Sequence, residues 1–225
     1  MVISDLFTIG YRCTADFLTK KMGQRHYSSP FSSILCDLET ALFYIDNEFD
    51  GFRDVVKVVE PPFIWIDKLW GVKKLFINKN FISDDIVITN WKKVLLWNHQ
   101  NLEDKDHIET SIRREKRLIT ALKKDTATLL VYVGNIQPYT TEDLSFYINR
   151  ELMVNFCKKH TTARLLILVP ILDFPNKPIL IKEDNINIIY YESNAEGYGN
   201  EIGSPNIEWD AILDCIKGLY DFRIV

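Results

Sequence analysis

In the second half of the chain, apolar runs alternate with segments whose apolar residues recur every three or four positions. The runs "TATLLVYVG", "ARLLILVPI" and "NINIIYYES" are apolar enough to be strands buried on both faces of a sheet. In the segments between and around these runs, the apolar residues have the spacing of amphipathic helices. It predicts helices over 109–124 and 141–160, and a closing helix in "NIEWDAILDCIKGLYDF" that carries Trp209, Ile212, Leu213 and Ile216 on one face.

The first third of the chain begins with a strand and continues as helices. The apolar run "LFTI" predicts the strand, and Gly10 ends it. Apolar residues at helical spacing predict a first helix over 14–22 and a second helix that starts near Asp37 and ends before "FDGF". Cys13 is therefore expected in the turn between a strand and a helix.

Residues 55–97 have a different pattern. The runs "FIWI", "KLFI", "DIVIT" and "KVLLW" are rich in β-branched and aromatic residues and are separated by proline, glycine and aspartate, which predicts short strands and turns. Because strands alternate with helices elsewhere, the chain is predicted to be a single α/β domain over 1–225. We expect a mostly parallel sheet flanked by helices, with a small β-containing insertion around 55–97.

The charge of the chain argues against nucleic acid as its partner. The formal net charge is −4, whereas binding to phosphates needs a concentrated cationic surface. The basic run "SIRREKRLITALKKD" is interleaved with apolar residues on one helical face, so its charges are expected on the solvent side of an ordinary helix. The expected partner is a small-molecule, peptide or saccharide substrate, and the sequence leaves the oligomeric state open.

Other sequence signals point to a cytoplasmic protein without a resident cofactor. No secretory signal is visible, and no apolar stretch approaches the ~20 residues of a membrane span. The cysteines are scattered, without CxxC spacing or a histidine cluster, so neither a metal site nor a disulfide framework is predicted. The glycines form no phosphate-binding pattern, which leaves a nucleotide loop unsupported.

Cys13 is the candidate nucleophile. It follows the first strand at its carboxyl end and comes just before a helix, where backbone amides and the positive end of the helix dipole stabilise a thiolate. The same amides, near Arg12 and Thr14, are expected to stabilise an oxyanion during acyl transfer. The remaining cysteines are expected to be apolar filler of amphipathic helices; they are Cys36, Cys157 and Cys215.

His99 is the candidate general base. It comes directly after the apolar run "KVLLW", and a base at one strand end can approach a nucleophile at another, as Cys–His catalysis requires. The other histidines are expected in surface or structural positions. A third group would orient the imidazole, and the sequence leaves open which of several residues it is: Asp104, Asp173, Gln100 or Asn101.

The N-terminal stretch resembles a bacterial family of predicted papain-like cysteine peptidases. The likeness rests on Gly10, Cys13, the helix segment "FLTKKMG", the segment "SSPFSSI" and the later "LLWNHQNLEDKD", and it spans most of residues 4–136. It implies that Cys13 and His99 are the catalytic pair of a hydrolase. It also implies that Gly10 and Ser32, with Arg12 and Thr14, belong to the oxyanion or substrate-binding part of the site.

The chain departs from the family pattern beside both catalytic positions. Arg12 replaces the asparagine before the cysteine, Ser32 replaces an aspartate, and Gln100 replaces the aspartate after the histidine. Two alternatives to a hydrolase therefore stay open. One is a coenzyme A-dependent acetyltransferase of surface-polysaccharide synthesis, to which the cysteine turn is also similar. The other is a catalytically inactive domain that binds a ligand or partner.

Overall fold

The computed structural model describes residues 1–10, 14–24, 27–32, 34–59, 75–78, 95–97, 101–134, 137–138, 149–172, 177–193 and 209–222. The strands described are β1 (Val2–Ile3), β2 (Asp5–Thr8), β3 (Ile34–Cys36), β4 (Val55–Val59), β5 (Leu75–Asn78), β6 (Leu95–Trp97), β7 (Thr128–Val133), β8 (Gln137–Pro138), β9 (Ala163–Leu172), β10 (Ile179–Glu183), β11 (Ile186–Glu192) and β12 (Asp221–Phe222). The helices described are α1 (Thr14–Lys21), α2 (Leu38–Asp46), α3 (Lys105–Leu122), α4 (Arg150–Lys159) and α5 (Trp209–Lys217).

The main sheet has the strand order β10-β11-β9-β7-β2, with the short β8 paired to the end of β9. Strands β2, β7, β9 and β11 run parallel to one another, and only the edge strand β10 is antiparallel to its neighbour within this sheet. The predicted α/β fold with a mostly parallel sheet is therefore confirmed.

Helices cover both faces of this sheet, so its inner strands β7, β9 and β11 are buried on both sides, as their continuous apolar runs predict. On one face, Phe7, Leu130 and Leu165 lie side by side in register and belong to a core shared with α2, α3 and α4. On the other face, Leu129 and Leu166 belong to a second core. That second core is closed by α1 and α5, whose buried residues include Ala15, Leu18, Trp209, Ile212, Leu213 and Ile216.

A second, antiparallel sheet has the strand order β3-β6-β5-β4. Strands β5 and β6 lie in the predicted runs "KLFI" and "KVLLW", whereas β4 is not among the predicted runs, and "FIWI" and "DIVIT" lie outside the described residues. The fourth strand, β3, precedes helix α2 in the chain. Trp97 of β6 lies opposite Ile34 of β3 and is fully buried, with its ring 5.4 Å from that of Phe52. The predicted insertion is thus built onto a strand from the first third of the chain.

Capping residues set the helix starts that the sequence pattern places only approximately. Helix α2 begins directly after Asp37, whose carboxylate accepts a hydrogen bond from the Thr40 amide at 2.9 Å. Helix α3 begins at Lys105 rather than 109, because the Asp104 carboxylate accepts from the Asp106 amide at 2.8 Å. Helix α4 begins at Arg150; the earlier part of the predicted helix, 141–148, lies outside the described residues.

The C-terminal segment is not one continuous helix. The predicted apolar face is buried, but α5 ends at Lys217 and the chain then forms β12. Strand β12 pairs in parallel with β1, and the Asp221 amide donates to the Met1 carbonyl at 2.7 Å. The edge strand β10 is a further addition to the predicted elements, and it forms a hairpin with β11.

Candidate functional site

The structure describes part of the predicted site. Gly10, Thr14, Ser32 and Asp104 are among the described residues, and for Thr14 the backbone alone is described. The remaining predicted site residues lie outside the described residues; they are Arg12, Cys13, His99 and Asp173.

Gly10 occupies a position that only glycine fits. Its φ is +135°, and a Cβ built on it would lie 2.5 Å from the Cys36 carbonyl oxygen and 3.0 Å from the Tyr132 ring. A glycine is therefore required both by the backbone conformation and by the close approach of β3. The chain leaving the carboxyl end of β2 passes directly against the end of β3.

Helix α1 begins at Thr14, the residue after Cys13, and β2 ends at Thr8. The Ile9 amide still donates to the Val131 carbonyl of β7 at 2.9 Å, so the chain follows the parallel sheet to its carboxyl edge. Ala15 and Leu18 then anchor α1 on the sheet. The described residues before and after Cys13 are thus a strand and a helix, in the predicted order.

A buried carboxylate lies beside this turn. Asp16, in the first turn of α1, is 5% exposed, and its Oδ1 accepts hydrogen bonds from Thr8 Oγ1 at 2.7 Å and from Ser32 Oγ at 3.0 Å. Ser29 completes the group, because its amide donates to Ser32 Oγ at 2.9 Å. We call these four residues the Asp16 cluster. It links the end of β2, the start of α1 and the segment before β3.

The segment "SPFS", residues 29–32, is held by hydroxyl groups and by one buried aromatic side chain. The Ser29 hydroxyl donates to the Thr8 carbonyl, and the Ser32 amide donates to the Ser29 carbonyl at 3.1 Å. Phe31 between them is buried, with its ring 5.5 Å from Phe52. Ser32, predicted from the family likeness to bind substrate or an oxyanion, therefore has its hydroxyl bonded to Asp16 and to the Ser29 amide.

Asp16, Thr8 and Ser29 are absent from the sequence-based list of site residues. A signal for them exists in the sequence. Thr8 is a polar residue in the apolar run "LFTI", and Asp16 lies between Ala15 and Leu18, which are on the inward face of α1. Buried polar residues need hydrogen-bond partners, so this pattern points to an internal polar cluster. It does not say which residues form it.

Asp104 has a structural role in the described contacts. Its carboxylate caps α3 by accepting from the Asp106 amide, and the neighbouring His107 Nδ1 accepts from the Asn101 amide at 2.9 Å. His160, at the end of α4, lies 2.7 Å from Asp46 Oδ1 and joins α4 to the end of α2. Neither histidine belongs to the Asp16 cluster, which agrees with the surface and structural positions expected for them.

The strand that leads to His99 is paired with the strand that follows Ser32. Trp97 at the end of β6 lies opposite Ile34 at the start of β3 in an antiparallel ladder. In the sequence, Trp97 comes two residues before His99, and Ser32 comes two residues before Ile34. The last residue of β6 and the first residue of β3 are therefore at the same end of the ladder. Ser32 of the Asp16 cluster precedes β3 at that end.

The cysteines within the described residues are free thiols in apolar surroundings. Burial raises the pKa of the Cys36 thiol well above its ordinary value, and the charge of Asp37 raises it further. Burial also raises the pKa of Cys157 to about 11. Both are expected to be inert at neutral pH, which agrees with their prediction as apolar filler, although Cys36 is the last residue of strand β3 and does not lie in a helix. Cys215 on α5 is partly exposed.

Within the described residues, no group of three or more histidine, cysteine, aspartate or glutamate side chains is arranged to hold a metal ion. Over the same residues, no helix combines the length and the apolar character that crossing a membrane would need. The chain matches no family model, and no curated protein or solved structure is significantly similar to it.

Proposed function

We propose that the chain is an enzyme that hydrolyses or transfers acyl groups, with Cys13 as nucleophile and His99 as general base. The observation that carries the proposal is the start of α1 at Thr14, immediately after Cys13, at the carboxyl end of a parallel strand. Ligand sites of open α/β sheets lie at this edge. The first amides of a helix have no acceptor within the helix and stabilise negative charge.

The strand pairing supports the choice of His99 as the partner. Strand β6, which precedes His99 in the chain, is bonded to β3. The end of β3 approaches Gly10 so closely that no side chain fits there. Gly10, which precedes Cys13 in the sequence, and strand β6, which precedes His99, are thus both packed against β3. This is what a nucleophile and a base from distant segments require.

The proposed chemistry is nucleophilic acyl transfer. The Cys13 thiolate attacks the acyl carbonyl carbon, a C–S bond forms, and the carbonyl oxygen takes the negative charge beside the backbone amides at the start of α1. The C–O or C–N bond of the leaving group breaks, and that group takes a proton from the His99 imidazolium. His99 then deprotonates water or the hydroxyl of an acceptor, whose oxygen forms a C–O bond to the thioester carbon. The C–S bond breaks, and the Cys13 thiolate and the His99 imidazolium are restored.

The test is the pH dependence of alkylation of Cys13 by iodoacetamide, with labelled peptides quantified by mass spectrometry. The proposal predicts a half-maximal rate below pH 7, in contrast to the pKa of about 8.5 of an ordinary thiol. Cys36 and Cys157 should stay unlabelled in this range because burial raises the pKa of each thiol. His99→Ala should move the Cys13 profile towards that of an ordinary thiol.

A Cys13 profile centred near pH 8.5 in the wild-type chain would contradict the proposal. It would favour the inactive binding domain instead. Cys13→Ala is the matched control, because it removes the labelled site and leaves the other cysteines in place.

A further inference from the structure

Two buried polar groups near the carboxyl end of β11 have no hydrogen-bond partner among the described residues. They are the Tyr191 hydroxyl and the Trp209 indole N–H. Tyr191 is 1% exposed and Trp209 is 4% exposed. A buried donor without an acceptor costs free energy, and native proteins leave few such groups unsatisfied. An acceptor from outside the chain would satisfy both.

The two groups lie together, at the edge of the sheet where ligands bind. The ring centroids of Tyr191 and Trp209 are 5.9 Å apart. Tyr191 is the last residue but one of β11, and Trp209 is the first residue of α5. Open parallel sheets bind their ligands at the carboxyl ends of the strands. One small ligand at this end of β11 can therefore reach both donors.

The side chains packed around this pair are apolar. Tyr191 and Trp209 belong to the second core, whose other described members carry no charge. Asn187 and Tyr220, the polar pair of the same face, are bonded to each other at 2.7 Å. Asp210, the next residue after Trp209, is exposed. An anionic ligand would thus enter a place where no described cation compensates its charge, which is costly.

A water molecule satisfies this pair poorly, whereas a carbonyl oxygen satisfies it fully. The indole N–H only donates, and the phenol has one hydrogen to donate. A water that accepts both bonds brings two hydrogens of its own, and hydrocarbon side chains offer these no acceptor. A carbonyl oxygen has two lone pairs and no hydrogen, so it can accept both bonds and leave no donor unsatisfied.

We propose that Tyr191 and Trp209 bind the carbonyl oxygen of an uncharged, mostly apolar ligand, such as an amide or an ester. Burial raises the pKa of the Tyr191 hydroxyl above its ordinary value, so the group stays a donor at neutral pH. The apolar side chains of the second core suit the rest of such a ligand. This site goes beyond the proposed function, and it stands whether or not Cys13 is reactive.

The test is a titration of the full chain with hexanamide, followed by the indole N–H signals in nitrogen–proton correlation NMR spectra. The Trp209 signal, assigned with Trp209→Phe, should shift and saturate, because the carbonyl oxygen becomes its acceptor. Trp97 is the internal control. Its indole N–H is also buried without a described partner, but it lies in the other core, beside Phe52. The Trp97 signal should not move.

Two compounds with the same chain length as hexanamide separate the chemistry of the ligand. Hexylammonium has no acceptor and should leave the Trp209 signal in place. Hexanoate has acceptors but carries a charge, and it should bind more weakly than hexanamide. The inference is overturned if hexanamide causes no saturable shift up to its solubility limit, if hexylammonium shifts the signal equally, or if hexanoate binds as tightly as hexanamide.

Tyr191→Phe removes one donor and keeps the ring. It should weaken the binding of hexanamide roughly fivefold, the effect of one hydrogen bond. The urea midpoint of the ligand-free variant should not fall, because the hydroxyl has no partner to lose. Tyr190→Phe is the matched control, since Tyr190 belongs to the core on the opposite face of the sheet, and it should not change the binding. An unchanged affinity in Tyr191→Phe, or a lowered urea midpoint, would overturn the inference.

Discussion

The two ends of strand β2 each have a carboxylate, and the two are held in different ways. At the amino end, Asp5 Oδ2 lies 2.9 Å from Lys124 Nζ and Asp5 Oδ1 accepts from the Tyr27 hydroxyl at 2.9 Å. At the carboxyl end, Asp16 of α1 is more deeply buried than Asp5, and its carboxylate accepts hydrogen bonds from two hydroxyl groups. The amino end resembles an ordinary surface ion pair, whereas the carboxyl end has a buried carboxylate held by hydroxyl groups from two other segments.

This difference agrees with a general property of parallel sheets. Ligand sites form at the carboxyl ends of the strands, and the amino ends contribute mainly to stability. We therefore expect substitutions at the amino end to change stability slightly. Substitutions at the carboxyl end should change stability strongly.

The largest effect is expected at Gly10. In Gly10→Ala, the added methyl group would meet the Cys36 carbonyl at 2.5 Å in a backbone conformation that alanine rarely adopts. We expect a loss of about 3 kcal/mol or more in the free energy of unfolding, from backbone strain and overpacking together. Urea denaturation measures it. Gly23→Ala is the matched control, because its φ is +71° but no atom lies within 4 Å of the added methyl group.

Gly23→Ala should cost about 1 kcal/mol, the penalty for the left-handed conformation alone. Equal losses at the two glycines would show that the close approach of β3 to the β2–α1 turn is not important for stability.

The next effect is expected at Asp16. Asp16→Ala leaves the buried hydroxyls of Thr8 and Ser32 without their acceptor, which should lower the free energy of unfolding by about 2–3 kcal/mol. Asp5→Asn is the comparison at the other end of β2. Its partner Lys124 is half-exposed, so the loss should be only about 0.5 kcal/mol. A larger loss from Asp5→Asn than from Asp16→Ala would reverse the comparison.

An effect smaller than that of Asp16→Ala is expected at Tyr27, and it depends on pH. Burial raises the pKa of the Tyr27 hydroxyl, and the charge of Asp5 raises it further. The unfolded chain releases this proton at a lower pH than the folded chain does. The stability from the neutral phenol is therefore fully present below about pH 10 and is lost as pH rises further.

Tyr27→Phe should thus make stability fall less steeply with pH above about pH 10. The variant should also cost about 1 kcal/mol at neutral pH, because the hydrogen bond to Asp5 is lost. Thermal unfolding at several pH values checks both statements. An alkaline slope identical to that of the wild type would show that Tyr27 titrates alike in both states.

The layered fold was predictable because its strands and helices have strong periodic patterns. The run at β7 is apolar after Thr128 and is buried at every position. The turn at Gly10 was predictable for a similar reason, since glycine commonly marks a change of direction. Strand β12 was not, because two residues in a strand leave no periodic signal and depend on a partner at the opposite end of the chain.

The Asp16 cluster was not predictable because its contacts join residues that are far apart in the sequence. Thr8 and Ser32 are 24 positions apart (32 − 8) in the sequence. Both donate hydrogen bonds to Oδ1 of Asp16, which lies between them in the sequence. Local patterns identify a polar residue on an inward face, but the partner depends on how β2, α1 and the segment before β3 pack together. For the same reason, the pairing of β6 with β3 could not be inferred from their sequences.

The most direct test of the central claim is an internal competition between two thiols of the wild-type chain. At pH 6.5, iodoacetamide is added in limiting amount and the labelling of Cys13 is compared with that of Cys215, the partly exposed cysteine of α5. We predict that Cys13 is labelled at least about tenfold faster, because a thiol with a pKa lowered by one unit or more has that much more thiolate at this pH. Labelling of Cys13 at the rate of Cys215 or more slowly would contradict the account.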